Sequence, residues 1–591
     1  IMTSTNLEQS LKFIKTKKSK RYIFWLSLSL IVAVVYGCWA IFPAFQHEYI
    51  IHDDARQHIF WMQRFVDGEL FTNNYITDYF QSISPPGYSA FYQFIANIGI
   101  HPFFASKIVP VFLGIVTTLY CYGVCVELLP IPVTGFIGTL LMNQNLWLSD
   151  DIISATSRAF LYPLFFAFLY YLLRQSLFSC LVSLAILGLF YPGFVLISVG
   201  ILILQLLKIE RSSLRFSQQR RDYIFCGLGI AVGLAVILPY ALGTSLYGPL
   251  MTLEEARTLP EFLSSGRMSF FLDDNPLKFW LAASRSGIRI SLNPPIIALG
   301  ILLPVLLRFK SHFPLGKQVR KNVSVLVYLV VVSLFLFFAA HALLFKLYLP
   351  SRFTVHSFKI VLVVATAIAL TLILDALINI RRKQKFGKFA IATLFGGMIV
   401  FYPNLIWKDS FPRNSYVTGA YPTLYQFFKQ QPKDILIASL AYEGSNLPSF
   451  SQRSILVSYE YAIAYHLGYY RQFRQRLADL IRAEYSPNLE DAKKLIQEYG
   501  VDYFLIEKGT FTPEYITKSK WLRQYLSPKL PNDMLAKLTR ETLESLQQGT
   551  VPALSKVVQD CQVLETGNLM VIEAECVVSP ELKFGLKAQT R

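Results

Sequence analysis

The stretch HEYIIHDDARQHIFWMQRF, residues 47–65, sets two adjacent carboxylates, Asp53 and Asp54, beside Arg56 and His58, just after an apolar run. A carboxylate within hydrogen-bond reach of a nucleophile can take its proton during attack, and a pair of carboxylates can ligate a divalent cation such as Mg or Mn. The plainer reading is capping: ARQHIFWMQRFV has a helical pattern, and an aspartate before it would accept the free N–H groups of the first turn. Capping alone does not account for the repetition of the motif. LSDDIISATSRAF puts Asp150 and Asp151 at the mouth of another apolar run with Arg158 one or two turns on, and FFLDDNP holds Asp273 and Asp274. Recurrent carboxylate pairs point either to a shared site or to a cation site.

The elements that must position these residues are membrane spans. The chain has 591 residues, of which 53% are hydrophobic and 16% charged, and a mean hydropathy of +0.41. That is too apolar for one soluble core, and many runs approach the ~20 residues that cross a bilayer. Length and charge predict about eleven crossings: 23–43, 103–126, 131–148, 159–173, 176–190, 192–207, 223–243, 294–309, 322–345, 357–379 and 389–407. The run at 23–43 is too long for a signal-peptide core and has no small-residue cleavage site after it, so it reads as a retained helix. The pair around FYPGF is short on both sides of Pro192 and Gly193, which fits either two tilted helices or a re-entrant hairpin.

The net charge of +18 sits in the segment 1–22 and in alternate short loops between apolar runs. That is the positive-inside pattern, and it makes nucleic acid unnecessary as a partner. It predicts a multi-pass plasma (inner) membrane protein with a cytoplasmic N-terminal segment, 1–22, and a membrane domain, 23–407. Segments 44–102, 149–158, 244–293 and 346–356 then face outward, with everything after about 408.

Residues 408–591 read as an extracytoplasmic α/β domain: DILIASL, SILVSY and VDYFLIEK are β-rich, and NLEDAKKLIQEYG is helical. No Gly-rich phosphate loop is present there, so nucleotide binding has no support. VVQDCQVLETGNLMVIEAEC reads as a hairpin turning at Gly567 and Asn568, with Cys561 and Cys576 on opposite arms. An oxidising compartment would permit a disulfide between them, the register being open. The other five cysteines lie in apolar spans as small hydrophobes, and no cysteine spacing matches a zinc site.

With its basic-ended first helix, acidic pair in a long first outer loop, second acidic motif in the next and outward α/β tail, the chain resembles the GT-C superfamily of membrane glycosyltransferases. DDARQHIFW is similar to that family's first-loop acidic motif and YLPSRF, 348–353, to an outer-loop arginine motif. The tail segments SQRSILVSYEYAIAYHLGYYRQFRQR and YGVDYFLIEK look like those of uncharacterised bacterial members related to protein mannosyltransferases and aminoarabinose transferases. No WWD signature of oligosaccharyltransferases and no mannosyltransferase-type repeat domain occurs. The resemblance implies transfer of a sugar from a polyprenyl-phosphate donor, drawn from the surrounding membrane lipids, to an extracytoplasmic glycan, lipid or protein.

By that resemblance Asp53 is the base, Asp54 holds the acceptor or a metal, and Asp150 or Asp151 assists from the second loop. The departing phosphate needs a cation, and the planar fork of arginine pairs best with phosphate oxygens. Arg352 is the first candidate, then Arg158 and Arg56, with His58, His356 and Lys107 behind; Arg352 and Lys346 could instead snorkel at the interface. Tyr79, Gln81 and Tyr88 could line a sugar site, although aromatics at this depth ordinarily form the interfacial belt.

Two other classes compete. A transporter or flippase would bury charge at mid-span, where the apolar runs show only Asp375. A non-catalytic subunit could keep the same scaffold, since fold does not fix function.

Overall fold

A computed structural model of the chain describes residues 4–210, 213–242, 246–309, 311–380, 397 and 411–579. Among the described residues, five helices are long and apolar enough to cross a membrane: Lys20–Phe45, Pro102–Leu128, Arg220–Leu242, Lys321–Ala342 and Ser351–Leu377. Shorter apolar helices fill between them at Pro132–Leu148, Ser157–Leu173, Leu177–Phe190, Gly193–Gln205 and Pro295–Arg308. At 1.5 Å per residue the 14 residues of Leu177–Phe190 rise roughly 21 Å, short of the ~30 Å hydrocarbon core. The expected eleventh span, 389–407, lies outside the described residues except for residue 397.

Two boundaries differ from expectation. The first helix starts at Ser4, so it includes most of the segment 1–22. The last long helix starts at Ser351 rather than near 357. Arg352 and His356, expected in a loop, therefore sit in its first two turns. Ser351 fixes that start: its N–H donates to the Arg285 carbonyl at 3.2 Å and its hydroxyl to the Ser284 carbonyl at 2.9 Å.

Ser351–Ile380 is the central helix, packed against Pro132–Leu148, Ser324–Ala342 and Pro295–Leu302. The last of these approaches closely through Gly300, where a Cβ would stand 2.8 Å from the Leu362 carbonyl oxygen. Close backbone approach of this kind substitutes for the hydrophobic drive that helices lack between lipid tails.

The inter-helix segments and the C-terminal domain meet at one end of the bundle. Strand β1, Ile50–His52, pairs antiparallel with β4, Tyr416–Thr418. Tyr49 packs beside it into a cluster with Leu424, Tyr425, Ile437 and Leu505. The segment after Arg220–Leu242 joins in: Met251 donates to the Tyr465 carbonyl at 2.8 Å, and Glu261 accepts from Arg474 at 2.7 Å. At the other end a small hairpin links β2, Leu207–Glu210, with β3, Ser213–Phe216.

The tail forms a five-stranded mixed sheet in the order β6-β5-β7-β9-β8, where β5 is Leu436–Ala438, β6 Ser454–Ile455, β7 Tyr503–Glu507, β8 Gln562–Thr566 and β9 Leu569–Glu573. The parallel strands β6, β5 and β7 coincide with the three β-rich runs of the sequence. The β8–β9 hairpin turns at Gly567, whose φ of +56° suits glycine. Cys561 and Cys576 flank the hairpin and form a disulfide, Cα atoms 5.4 Å apart.

Candidate active site

The acidic motif is built as strand, cap and helix. His52 ends β1 and its Nδ1 accepts the Asp54 N–H at 3.1 Å, capping the helix Asp53–His58. The cap is therefore one residue earlier than an aspartate cap would place it, and both carboxylates are released from that duty. Because Nδ1 accepts, Nε2 carries the proton and donates to Asp150 at 3.0 Å. Asp150 also accepts from Ser415, so it braces the acidic motif against the C-terminal domain rather than lining the cavity.

Asp53 and Asp54 line a cavity of about 640 Å³ between the inter-helix segments, the C-terminal domain and the ends of the apolar helices. His58, Tyr79 and Tyr88 line it too, as do Arg158, Arg267, Arg285, Arg289 and Arg352, with Glu460. Tyr191 to Phe194, the break between the two short helices, form part of its wall. This hairpin thus reaches the acidic site with its tip.

The carboxylates have different partners. Asp54 accepts from Arg158 at 2.7 Å. Burial pushes its carboxyl up, but Arg158, with lesser help from His52, His58 and Arg352, outweighs this and holds it below the usual range. Asp53 pairs with Arg56, a fully buried guanidinium that also donates to Asn446 at 2.8 Å, to Tyr442 at 3.4 Å and to Glu460 at 3.4 Å. Arg56 is thus a clamp between the first loop and the C-terminal domain, already engaged on several sides. Burial lowers the His58 pKa, Asp54 opposes this, and Arg158 and Arg352 add to the lowering.

The arginines divide in the same way. Arg267 donates to Glu460 at 2.9 Å, and Arg285 donates to the carbonyls of Ser269 and Arg267 at 3.3 and 3.4 Å. The guanidiniums of Arg289 and Arg352 make no hydrogen bond or ion pair among the described residues. They repel one another, which adds to burial in lowering the Arg289 pKa. Guanidiniums without a hydrogen-bond acceptor, facing a cavity, are free to meet an anion.

Other predicted residues lie elsewhere. Asp151 is buried in an ion pair with Lys359, which overcomes burial and brings its carboxyl down to about 2. Lys359 lies inside the helix Ser351–Ile380, so Asp375 is not the lone charge of the apolar runs. His356 Nδ1 meets the Tyr162 hydroxyl at 2.8 Å, buried behind the cavity wall. Lys107 donates to the Ala44 carbonyl at 2.8 Å, and Gln81 accepts from Arg64 at 2.9 Å; neither lines the cavity. Tyr79 does, its hydroxyl 3.0 Å from His466 Nδ1 and its ring stacked 3.6 Å from that of Tyr469. Asp273 and Asp274 are surface residues, the latter 2.9 Å from Lys529.

Asp53 and Asp54 each pair with an arginine, and among the described residues no three His, Cys, Asp or Glu side chains converge.

No protein-family model matches the chain, and no curated protein does. Solved structures do. A crystal structure of the Archaeoglobus fulgidus oligosaccharyltransferase, tethered with an acceptor peptide, aligns with a TM-score of 0.50 at 10% identity, covering 85% of this chain and 72% of that one. The archaeal enzyme in complex with an inhibitory peptide and a dolichol-phosphate gives 0.48 at 11% identity, covering 85% and 71%. Arabinofuranosyltransferase AftD from Mycobacteria gives 0.47 at 12% identity, covering 82% of this chain and 36% of its own. At 10–12% identity the likeness is one of fold.

Proposed function

We propose that the chain is a membrane glycosyltransferase that moves a sugar from a polyprenyl-phosphate donor to an acceptor on the side of its C-terminal domain. One observation carries the reading: Asp53 and Asp54 line the same cavity as the unpaired guanidiniums of Arg289 and Arg352, in a chain whose fold is similar to that of an oligosaccharyltransferase. The basic excess of alternate short loops in the sequence and the Cys561–Cys576 disulfide support an extracytoplasmic cavity.

In this mechanism an acceptor heteroatom attacks the anomeric carbon while Asp53 takes its proton. The bond from that carbon to the phosphate oxygen breaks, and polyprenyl phosphate leaves with the electron pair. Asp53 is favoured as base because Arg56 divides its charge between Asp53 and Glu460, whereas Asp54 has Arg158 and a lowered pKa, which makes it a poor proton acceptor. Asp54 orients, and Arg352 with Arg289 receives the charge growing on the phosphate. The polyprenyl chain lies along Phe194, Tyr240 and Phe345, apolar members of the wall. The buried Asp151–Lys359 pair neutralises itself, which leaves a transporter reading without a free intramembrane charge there.

The test is to supply the full chain in nanodiscs with a panel of polyprenyl phosphates bearing radiolabelled hexoses, pentoses or N-acetylhexosamines. Release of polyprenyl phosphate from at least one supports the reading. Failure with every donor, by a folded protein, contradicts it.

A further inference from the structure

Four charged side chains from three segments of the chain stand in a row of alternating sign. Asp53 meets Arg56 on its own helix, Arg56 meets Glu460 of the C-terminal domain at 3.4 Å, and Glu460 meets Arg267 of the segment after Arg220–Leu242 at 2.9 Å. Both ends of the row are open to the cavity, Asp53 being 46% exposed and Arg267 20%. The middle lies deeper, with Arg56 fully buried and Glu460 7% exposed.

The two carboxylates compete for one nitrogen. Arg56 Nη2 carries two hydrogens and meets three acceptors: Asp53, Glu460 and the Tyr442 hydroxyl. The other oxygen of Glu460, Oε1, accepts from Arg267. Glu460 is also fixed through its backbone, whose N–H donates to the Ser445 hydroxyl at 3.3 Å and whose carbonyl accepts from Gln57 at 2.7 Å. Burial lowers the Arg56 pKa, but Glu460, ahead of Asp53, carries it above the usual value. Glu460 thus takes a share of a charge that would otherwise bear on Asp53 and weaken it as a proton acceptor.

We propose that Glu460 and Arg267 are positioning residues that couple substrate binding to the strength of the base. An anionic group of the substrate that draws on Arg267 leaves Glu460 to Arg56. Arg56 then bears less on Asp53, which becomes the better proton acceptor. This role rests on the transferase reading above. Acidification works the other way: burial holds the Glu460 pKa up against Arg267 and Arg56, so a falling pH protonates Glu460 and returns Arg56 to Asp53. Asp54, His58, Arg158, Arg289 and Arg352 share the cavity with Asp53, and Glu443, Tyr442 and Tyr461 act on Arg56 from the C-terminal domain. All of these stay the same when Glu460 or Arg267 is changed.

The test follows release of polyprenyl phosphate, between about pH 5 and pH 9, from whichever labelled donor the wild type cleaves in the panel above. The acid limb of kcat/KM reports the free enzyme and that of kcat the complex. In kcat/KM, Glu460→Gln should move the limb down by roughly one pH unit and Arg267→Gln should move it up by a similar amount, because one removes a rival for Arg56 and the other frees that rival. In the wild type the kcat limb should lie above the kcat/KM limb, and Arg267→Gln should close most of that gap. A loss of structure alone would lower rates without moving the two limbs in opposite directions. Limbs that stay in place, or that move together, overturn the proposal and leave the transferase standing. If Glu460→Gln does not fold, Arg267→Gln decides alone, a limb unmoved or lowered being the contrary result. No release by wild type from any donor removes the transferase reading and this role with it.

Discussion

The Asp54 carboxylate accepts a 2.7 Å hydrogen bond from Arg158, which ties the first inter-helix segment to the start of the helix that follows the second. Sequence places these residues in separate motifs, and the fold makes them one unit. Since Asp54 is held below its ordinary pKa, its contribution to stability is fully present above the unfolded carboxylate value of ~4 and is lost as the pH falls through the lowered one. Asp54→Asn should therefore lose less stability than wild type on acidification from about pH 5 to pH 2. Unfolding temperatures in detergent across that window check this; parallel curves would contradict it.

Asp151 and Lys359 form a buried pair of which neither partner is free to meet water. Asp151→Asn strands an ammonium and should destabilise the protein by about 3–5 kcal/mol. Replacing both, as Asp151→Leu with Lys359→Met, should recover most of that loss, because the pair's own desolvation cost disappears with it. Thermal unfolding of the single and double variants decides. A double variant as unstable as the single would show that the pair does more than neutralise itself.

Arg352 should act through geometry as well as charge. Arg352→Lys should keep donor binding but lose roughly 100-fold in transfer rate, since an ammonium cannot reproduce the two-pronged contact with phosphate. Arg352→Ala should lose both. Transfer kinetics against donor concentration separate the cases, and equal rates for arginine and lysine would return Arg352 to an interfacial anchor.

The Cys561–Cys576 bridge closes the β8–β9 hairpin over a separation of 15 residues. Changing both cysteines to serine should cost about 3 kcal/mol, the loop-closure entropy of such a ring. A matching fall in unfolding temperature, equal to that caused by reductant, is the expected reading. Reductant without effect on wild type would contradict it.

Much of the scaffold was legible because apolar length and period are local signals. The helices Pro102–Leu128 and Pro132–Leu148, and the strands within DILIASL, SILVSY and VDYFLIEK, fall where the pattern puts them. What local pattern could not carry was pairing at long range. YII before His52 is too short to announce a strand, and its partner β4 lies more than 360 residues on. Without that pairing His52 does not look like a cap. Arg56 and Lys107 read as free cations because their acceptors, Asn446 and the Ala44 carbonyl, are invisible in sequence. Arg267, Arg285 and Arg289 sit in no motif, and Glu460 lies in the tail segment SQRSILVSYEYAIAYHLGYYRQFRQR, where nothing local marks it as a site residue. The only available signal was an arginine cluster, GRM and SRSGIR, in a segment expected on the same side as the acidic pairs.

The most direct measurement of the central claim is the rate of sugar transfer by Asp53→Asn at saturating donor and acceptor. The amide preserves volume and the contact with Arg56 but cannot take a proton. Removal of a general base predicts a loss of at least about 100-fold in rate, with donor affinity and unfolding temperature close to wild type. Turnover near wild type, in a protein equally folded, would contradict the assignment of Asp53 as the base.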